Sequence, residues 1–484
     1  MSSKSIALTF FLFFVGIVAL FEPLIPLLGF FSFGYLDLAN VWDTHGLHAM
    51  RVLAILILVA TLMKGIGGEK IKFSIAFSLQ NLLVIGIILT MISGLIIKEG
   101  MSFIDVTKDM WMQEFFKVIF IYIFMVNLID SRRKLGWATW MLILCVFYLA
   151  QKGLANYRTG ALDTARPYSW WNKNGAAAVF ASGIPMFYFL FWEEMKKRLP
   201  RNIEGIFLSI LGISLILGGV FLFAKGRAKP GILLVGCGLL LPDKEGMGAK
   251  GIFFLGGVVS LLLALWRCGS RGGYLAFIVT FSFLVLIELI RGHYKRLVWI
   301  LPLVAALLLY KTPEKAWEKF QTIETYEEDA SAMIRIDAWK TAIIMLKENP
   351  LLGIGMNRYV VHFMDYCPPG SPTYHLGLRS PHSIYVQTFS ETGLIGFSLF
   401  LILLGKSFWD VLVVIRRSRA GPEKTWLGTM AAAFGLSLLS ICVSGAFTGN
   451  PYTLGIYGFI ALIVATRKLS NEMMKTPAGG KREI

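Results

Sequence analysis

The stretch Arg379-Ser380-Pro381-His382-Ser383-Ile384-Tyr385-Val386-Gln387, continued by Glu391-Thr392-Gly393-Leu394-Ile395-Gly396, joins a long polar loop to an apolar run. A histidine at such a junction sits at a membrane surface, half screened from water, where a neutral imidazole can accept a proton from a hydroxyl.

The rest of the chain is mostly apolar. Of 484 residues 56% are hydrophobic and only 16% charged, and the mean hydropathy is +0.65. That is too little polar surface for a soluble globule, and it predicts an all-α polytopic membrane protein. The formal charge of +17 is ordinary where cytoplasmic loops collect Lys and Arg, and it implies no nucleic-acid partner. Cys145, Cys237 and Cys442 fall inside apolar runs and only Cys268 and Cys367 lie at edges, so no disulfide framework is expected.

Apolar runs occur at about 6–30, 48–64, 75–97, 112–129, 134–151, 175–192, 205–224, 251–266, 272–290, 297–310, 390–415, 427–446 and 451–467, with 231–241 a short further run. They predict 12–14 transmembrane helices. The first is longer than a signal-peptide core and has no small-residue cleavage pattern, so it reads as a retained span. Lys64, Lys70 and Lys72, Arg132 to Lys134, Lys196 to Arg198, Arg291 to Arg296, Arg416 to Arg419 and the basic tail lie on one side if both termini are cytoplasmic.

This topology divides the chain into N-terminal membrane helices (1–150), central membrane helices (151–310), one large extracytoplasmic loop subdomain (311–383), C-terminal membrane helices (384–467) and a cytoplasmic tail (468–484). Within the loop a helix is expected over 332–347, ended by Pro350.

Three outside segments then carry arginine against the positive-inside rule: Arg158 and Arg166, Arg267 and Arg271, Arg335 and Arg379. Lys225, Arg227 and Lys229 break the same rule. Arg271 opens a helix in Gly269-Ser270-Arg271-Gly272-Gly273-Tyr274, where close backbone approach and the helix start suit a phosphate; it can also snorkel to lipid headgroups. Arg335 can pair with Asp337 or face the same anion. Glu391 can orient His382 or cap the helix that follows. Tyr168, Trp170, Trp171 and Tyr374 suit either a sugar path or an interfacial aromatic belt.

Of the six histidines, none is joined to Asp or Glu at convincing metal-ligand spacing, and no metal or other cofactor is expected. A phosphate-binding lysine loop, a dinucleotide-binding glycine fingerprint and a Gly-x-Ser-x-Gly elbow are missing, which excludes nucleotide-driven and elbow-serine chemistry.

Together these residues resemble the O-antigen ligase and polymerase superfamily of bacterial envelope glycan enzymes. His382-Ser383, nine residues, then Gly393-Leu394-Ile395-Gly396 matches its His-(Asn/Ser/Gln)…Gly-x-x-Gly pattern, with Pro381 and Glu391-Thr392 alongside. Ser270-Arg271-Gly272 is similar to its Ser-Arg-Gly element. Arg335…Trp339…Asn349-Pro350-Leu351-Leu352-Gly353-Ile354-Gly355 is similar to its outer-loop run, and Arg166 with Asn174 to a weaker element nearer the N-terminus.

The resemblance implies a GT-C-like helical glycosyltransferase of the bacterial inner membrane, with its active site facing the periplasm and membrane lipids around it. It would take a glycan from an undecaprenyl-pyrophosphate-linked donor and pass it, without a metal and with inversion, to an acceptor hydroxyl. His382, Arg271 and Arg335 would be catalytic, and Arg166, Asn174, Arg379, Ser383, Glu391 and Tyr374 would bind substrate.

Three acceptors stay open: a lipid A-core sugar (ligase, the leading reading), a growing glycan (polymerase) and a protein side chain. A lipid-linked-sugar transporter is the alternative of another class. The chain has no internal repeat and few charges within spans, Lys117 being the clearest, which disfavours it.

Overall fold

The computed structural model describes residues 12–19, 21–36, 49–66, 78–157, 166–167, 172–196, 248–293, 296, 330–371, 374, 380–418 and 422–475. The runs 205–224, 231–241 and 297–310, the cluster Lys225, Arg227 and Lys229, and Arg379, Tyr168, Trp170 and Trp171 lie outside the described residues. Among those described, the chain is helical throughout: α1 (Leu24–Tyr35), α2 (Ala49–Ile66), α3 (Leu79–Glu99), α4 (Met110–Leu128), α5 (Arg132–Asn156), α6 (Lys173–Met195), α7 (Gly248–Cys268), α8 (Arg271–Ile290), α9 (Ala330–Glu348), α10 (Ile384–Arg417), α11 (Pro422–Gly445) and α12 (Leu454–Lys475).

Nine of these are long and apolar enough to cross a bilayer, since about 20 residues at 1.5 Å rise cover its ~30 Å core. The protein is an all-α polytopic membrane protein. Its first apolar run, however, is not one helix. The chain turns at 21–23, and Pro23, lacking an N–H, stands at the start of α1. Glu22 is held there by Lys64 (3.9 Å) and Lys134 (3.7 Å) and accepts the Leu24 N–H.

Helix α6 is the centre of the bundle, packed on α5, α7, α8 and α11, and its Phe180, Phe187 and Phe189 are fully buried. A second group forms where α10 lies against α3, α11, α12 and α9. The ends of the bundle differ in charge. At one end lie Arg132, Arg133 and Lys196, Arg291 donating to the Gly428 carbonyl (3.0 Å), the Glu288–Arg296 pair (3.1 Å) and buried Asp410 with Gln80, Lys406 and Arg467.

At the other end begin α4, α6, α8 and α10, each capped by its own polar side chain, Asp109, Asn172, Ser270 and Ser383. Such caps bond amides that a helix start leaves unpaired.

The same end carries a small subdomain, expected from the sequence to be the outer one. The expected helix over 332–347 is α9, and Pro350 follows its end. Ala338, Ala342 and Met345 pack with Ile354, Tyr359 and Phe363 into a small core of their own, and the Tyr359 hydroxyl donates to the Ala338 carbonyl at 2.5 Å.

Subdomain and bundle meet at a break in α10. Gly393, at φ 63° and ψ −169°, interrupts the helix. In an unbroken helix Leu394 and Ile395 would donate to Ser390 and Glu391. Here they donate to Pro350 (2.8 Å) and Leu351 (3.2 Å), while the vacated Ser390 and Glu391 carbonyls accept from Ile354 and Gly355 (3.0 Å each). The Pro-Leu-Leu-Gly-x-Gly run thus stands in for the missing turn. Gly353, at φ 69°, faces Gly393 so closely that a Cβ on either would strike the other's backbone.

Gly393→Ala is expected to destabilise by more than the ~1–2 kcal/mol that a left-handed φ alone costs a residue with a Cβ, because the methyl also meets the Leu351 carbonyl. It should lower the thermal unfolding midpoint in detergent, whereas Gly136→Ala, in open space within α5, should leave it unchanged or raise it.

Candidate active site

His382 precedes α10 in a left-handed conformation, φ 48°, that a side chain with a Cβ adopts at a cost of about 1–3 kcal/mol unless neighbours impose it. The neighbours are specific. Its N–H faces the Ser380 hydroxyl (3.5 Å), and the Trp339 indole of α9 donates to the Pro381 carbonyl (2.8 Å). Arg335, half-buried, lies one turn before Trp339 and so shares its helix face. The Ser383 hydroxyl is the cap of α10, accepting the Val386 N–H (3.4 Å). Asp337, near Arg335 in sequence, accepts from Ser371 (2.7 Å).

A second corner forms where α6 and α8 begin. The Ser270 hydroxyl accepts the Gly273 N–H (3.2 Å) and donates to the Asn174 side-chain oxygen (2.7 Å). Gly272 lies against Phe447 and Gly273 against Ala177, with no room for a Cβ. The Ser-Arg-Gly element therefore has a local reason: serine caps, glycines pack, and Arg271 is carried half-buried at the helix start. Arg166, whose carbonyl accepts from Asn156 (2.8 Å), lies within electrostatic range of Cys268, two residues before Ser270.

The turn between α11 and α12, residues 446–453, joins the two corners. Asn174 donates to the Phe447 carbonyl (3.5 Å). Gly449 lies against Ser380, where a Cβ would stand only 3.0 Å from the serine hydroxyl. The Asn450 N–H donates to the Gln387 side chain (2.7 Å), and the Tyr452 hydroxyl to Glu391 (2.6 Å). Burial first, then the Glu391 charge, raises the Tyr452 phenol well above its ordinary 10.0, so it remains a donor.

Glu391 is fully buried and also accepts from Gln387 (3.1 Å) and the Tyr359 N–H (3.4 Å); it supports the site from beneath. Sequence reasoning missed this turn. Its only signal is the Gly449-Asn450-Pro451 cluster between two apolar runs, a generic turn mark. Tyr374 packs against the outer subdomain core, and Arg379 lies outside the described residues.

Beside the turn opens a cavity of about 590 Å³. Tyr35, Met50, Val118, Ile121 and Leu454 give it an apolar wall, while Asn172, Asn357, Thr448 and Asn450 give it polar groups. Lys117 faces it too, paired with Glu114 at 2.6 Å, so the one charge singled out within a span is matched locally. Among the described residues no three His, Cys, Asp or Glu side chains gather as metal ligands would.

The outer segment is clamped to the bundle by charge. Arg358 bonds Asp109 (2.6 Å) and lies 3.5 Å from Glu99, and His362 sits between Glu99 (2.5 Å) and Asp365 (2.8 Å). Burial alone would lower the His362 pKa, but its bonds to Asp365 and Glu99 outweigh that and hold it above 6.5. For Asp109 burial works upward, yet the bonds from Arg358 and from backbone amides outweigh it and lower the carboxyl below 3.8.

Residues 256–401 match the family model described as O-antigen ligase. The matched stretch includes Ser270, Arg271, Arg335, Trp339, His382 and the Gly393 break, and it ends before the 446–453 turn. The similarity to the O-antigen ligase and polymerase superfamily is thus borne out over the stretch that holds the main motifs. No curated protein matches the chain.

A raised histidine pKa stabilises the folded state below the unfolded value and loses that contribution as pH rises through the folded one. Raising pH from about 6 to about 9 should therefore lower the hydrogen-exchange protection within 355–367 relative to the intrinsic rate at each pH, with Asp109 ionised throughout. His362→Gln should remove that pH dependence.

Proposed function

We propose that the protein is a membrane glycosyltransferase that moves a glycan from undecaprenyl pyrophosphate to an acceptor hydroxyl at the extracytoplasmic face of the bacterial inner membrane, with a lipid A-core sugar as acceptor. One observation carries this reading: the 446–453 turn touches both the Asn174–Ser270 corner, where Arg271 begins α8, and the loop that holds His382. The sequence match to the O-antigen ligase family model and the amphipathic cavity beside the turn support it.

The chemistry follows from the residue types. As the sugar C1–oxygen bond breaks, negative charge grows on the departing pyrophosphate. Arginines meet it with fixed, always-protonated forks. Arg271 and Arg335 take this role, helped by Arg166 and Arg379. The acceptor oxygen attacks C1 and polyprenyl pyrophosphate leaves; the acceptor proton passes to His382 or, where His382 only holds the hydroxyl in line, to the departing pyrophosphate. One displacement inverts C1.

The polyprenyl chain lies along the apolar wall of the cavity, entering sideways from lipid. Asn174 ties the start of α6 to that of α8 and to the turn, Ser383 caps α10, Tyr374 lines the outer approach, and Glu391 fixes the floor. Arg132, Arg133, Lys196, Arg291 and Arg296 at the opposite end favour a cytoplasmic location for that end.

Membranes carrying His382→Ala or Arg271→Ala at normal expression should transfer glycan at least ~100-fold more slowly than wild type. Arg335→Lys should lose roughly tenfold, since a point charge replaces a fork. Chelator should change nothing. Full transfer by either alanine variant sinks the assignment of roles. Offering lipid A core, lipid-linked repeat or protein as acceptor in the same assay separates ligase from polymerase and protein-glycosylating activity.

A further inference from the structure

Three residues other than glycine have positive φ among the described residues: Asn357 at 55°, His382 at 48° and Asn450 at 73°. They come from the 355–367 segment, the loop before α10 and the turn after α11, and two of them, Asn357 and Asn450, bond one buried side chain, Gln387. Asn450 donates its backbone N–H to Gln387 Oε1 (2.7 Å), so the amide nitrogen must point the other way. There it donates to Asn357 Oδ1 (3.4 Å) and Glu391 Oε1 (3.1 Å).

His382 lies five residues ahead, near the start of the same helix. Its loop meets the turn through Ser380, whose hydroxyl lies against Gly449, the residue immediately before Asn450, and faces the His382 N–H. The Asn450 conformation is in turn closed by Tyr452, whose N–H donates to Asn450 Oδ1 (3.2 Å) and whose hydroxyl donates to Glu391.

We infer that Gln387 is a positioning residue that locks the 446–453 turn and Asn357 against the start of α10 and so holds His382 in its left-handed, reactive placement. Asn357 and Asn450 also line the cavity, which places the clamp between the donor's groove and the histidine. The part of this inference that concerns transfer rests on the function proposed above; the part that concerns position does not.

Gln387 is suited to the task because it accepts at one atom and donates at the other. A carboxyl in its place would face Glu391 across a buried gap, where the pair could keep its bond only by binding a proton. Exchanging the two groups, Gln387→Glu with Glu391→Gln, keeps one carboxylate in the pair. It restores the acceptor for Asn450, the bond between positions 387 and 391 and the acceptor for Tyr452, losing the Asn357 bond and the Tyr359 N–H bond, because Glu391 Oε1 serves both Tyr359 and Gln387.

The test uses the full chain in nanodiscs. Gln387→Met keeps length and removes every bond. Hydrogen exchange in peptides covering 380–387 and 446–452 should quicken by roughly tenfold, as expected for loss of buried bonds, with 79–99 unchanged. In the transfer assay kcat should fall by about tenfold or more with donor KM within about twofold, the mark of a misplaced group rather than lost binding. The double exchange should recover most of both at every pH, whereas Gln387→Glu alone should do so only at a pH low enough for the carboxyl pair to hold a proton.

Wild-type exchange at 380–387 in Gln387→Met overturns the inference. So does unchanged kcat despite faster exchange, and so does loosening that spreads to 79–99 and is not repaired by the double exchange, which marks a merely structural residue. A wild-type protein inactive with every donor refutes the proposed function, and the exchange measurements still decide the positional claim.

Discussion

A bilayer gives an unpaired backbone amide no water to bond, and α10 is broken at Gly393 all the same. The break survives because four backbone groups that the helix loses are met by four from residues 350–355. Two glycines at positive φ, Gly353 and Gly393, let the strands approach closely enough for this. Much of the site depends on that graft. It brings the outer subdomain onto the membrane helices, and with it the face of α9 that holds Trp339 against Pro381 and carries Arg335.

A graft of main chain onto main chain is rigid but chemically blank. The polar side chains beneath it supply direction. Glu391 lies next to the break, and its carboxylate gathers Tyr359, Gln387 and Tyr452 from three segments. Burying such a group is costly unless all its acceptor positions are used, so each partner is held in turn by the need to satisfy the others. The left-handed conformations of Asn357, His382 and Asn450 are strained states of the kind found where surroundings over-determine the backbone.

Much of this was legible in the chain because it is written locally. Arg271 reads as the opening of a helix, and α8 begins there. Pro350 reads as a helix stop, and α9 ends at Glu348. Gly393 reads as a motif, although its reason, a break filled by another segment, has no local trace. Glu391 read as a group that orients His382 or caps a helix; the carboxylate turned instead to Tyr452, which lies sixty-one residues away in sequence. The turn at 446–453 was overlooked because Asn-Pro between apolar runs marks any loop.

Hydropathy and helix-start chemistry depend on residues within a turn or two of each other, so the sequence alone determined the membrane class, most of the spans, and the Ser-Arg-Gly, Arg335 and His382 elements. Only the tertiary structure decided that these elements share one end of the bundle, that Gln387 and the 446–453 turn lie between them, and that the first apolar run bends at Glu22 and Pro23. Those outcomes rest on hydrogen bonds and ion pairs between segments far apart in the chain, whose partners no periodicity or composition specifies.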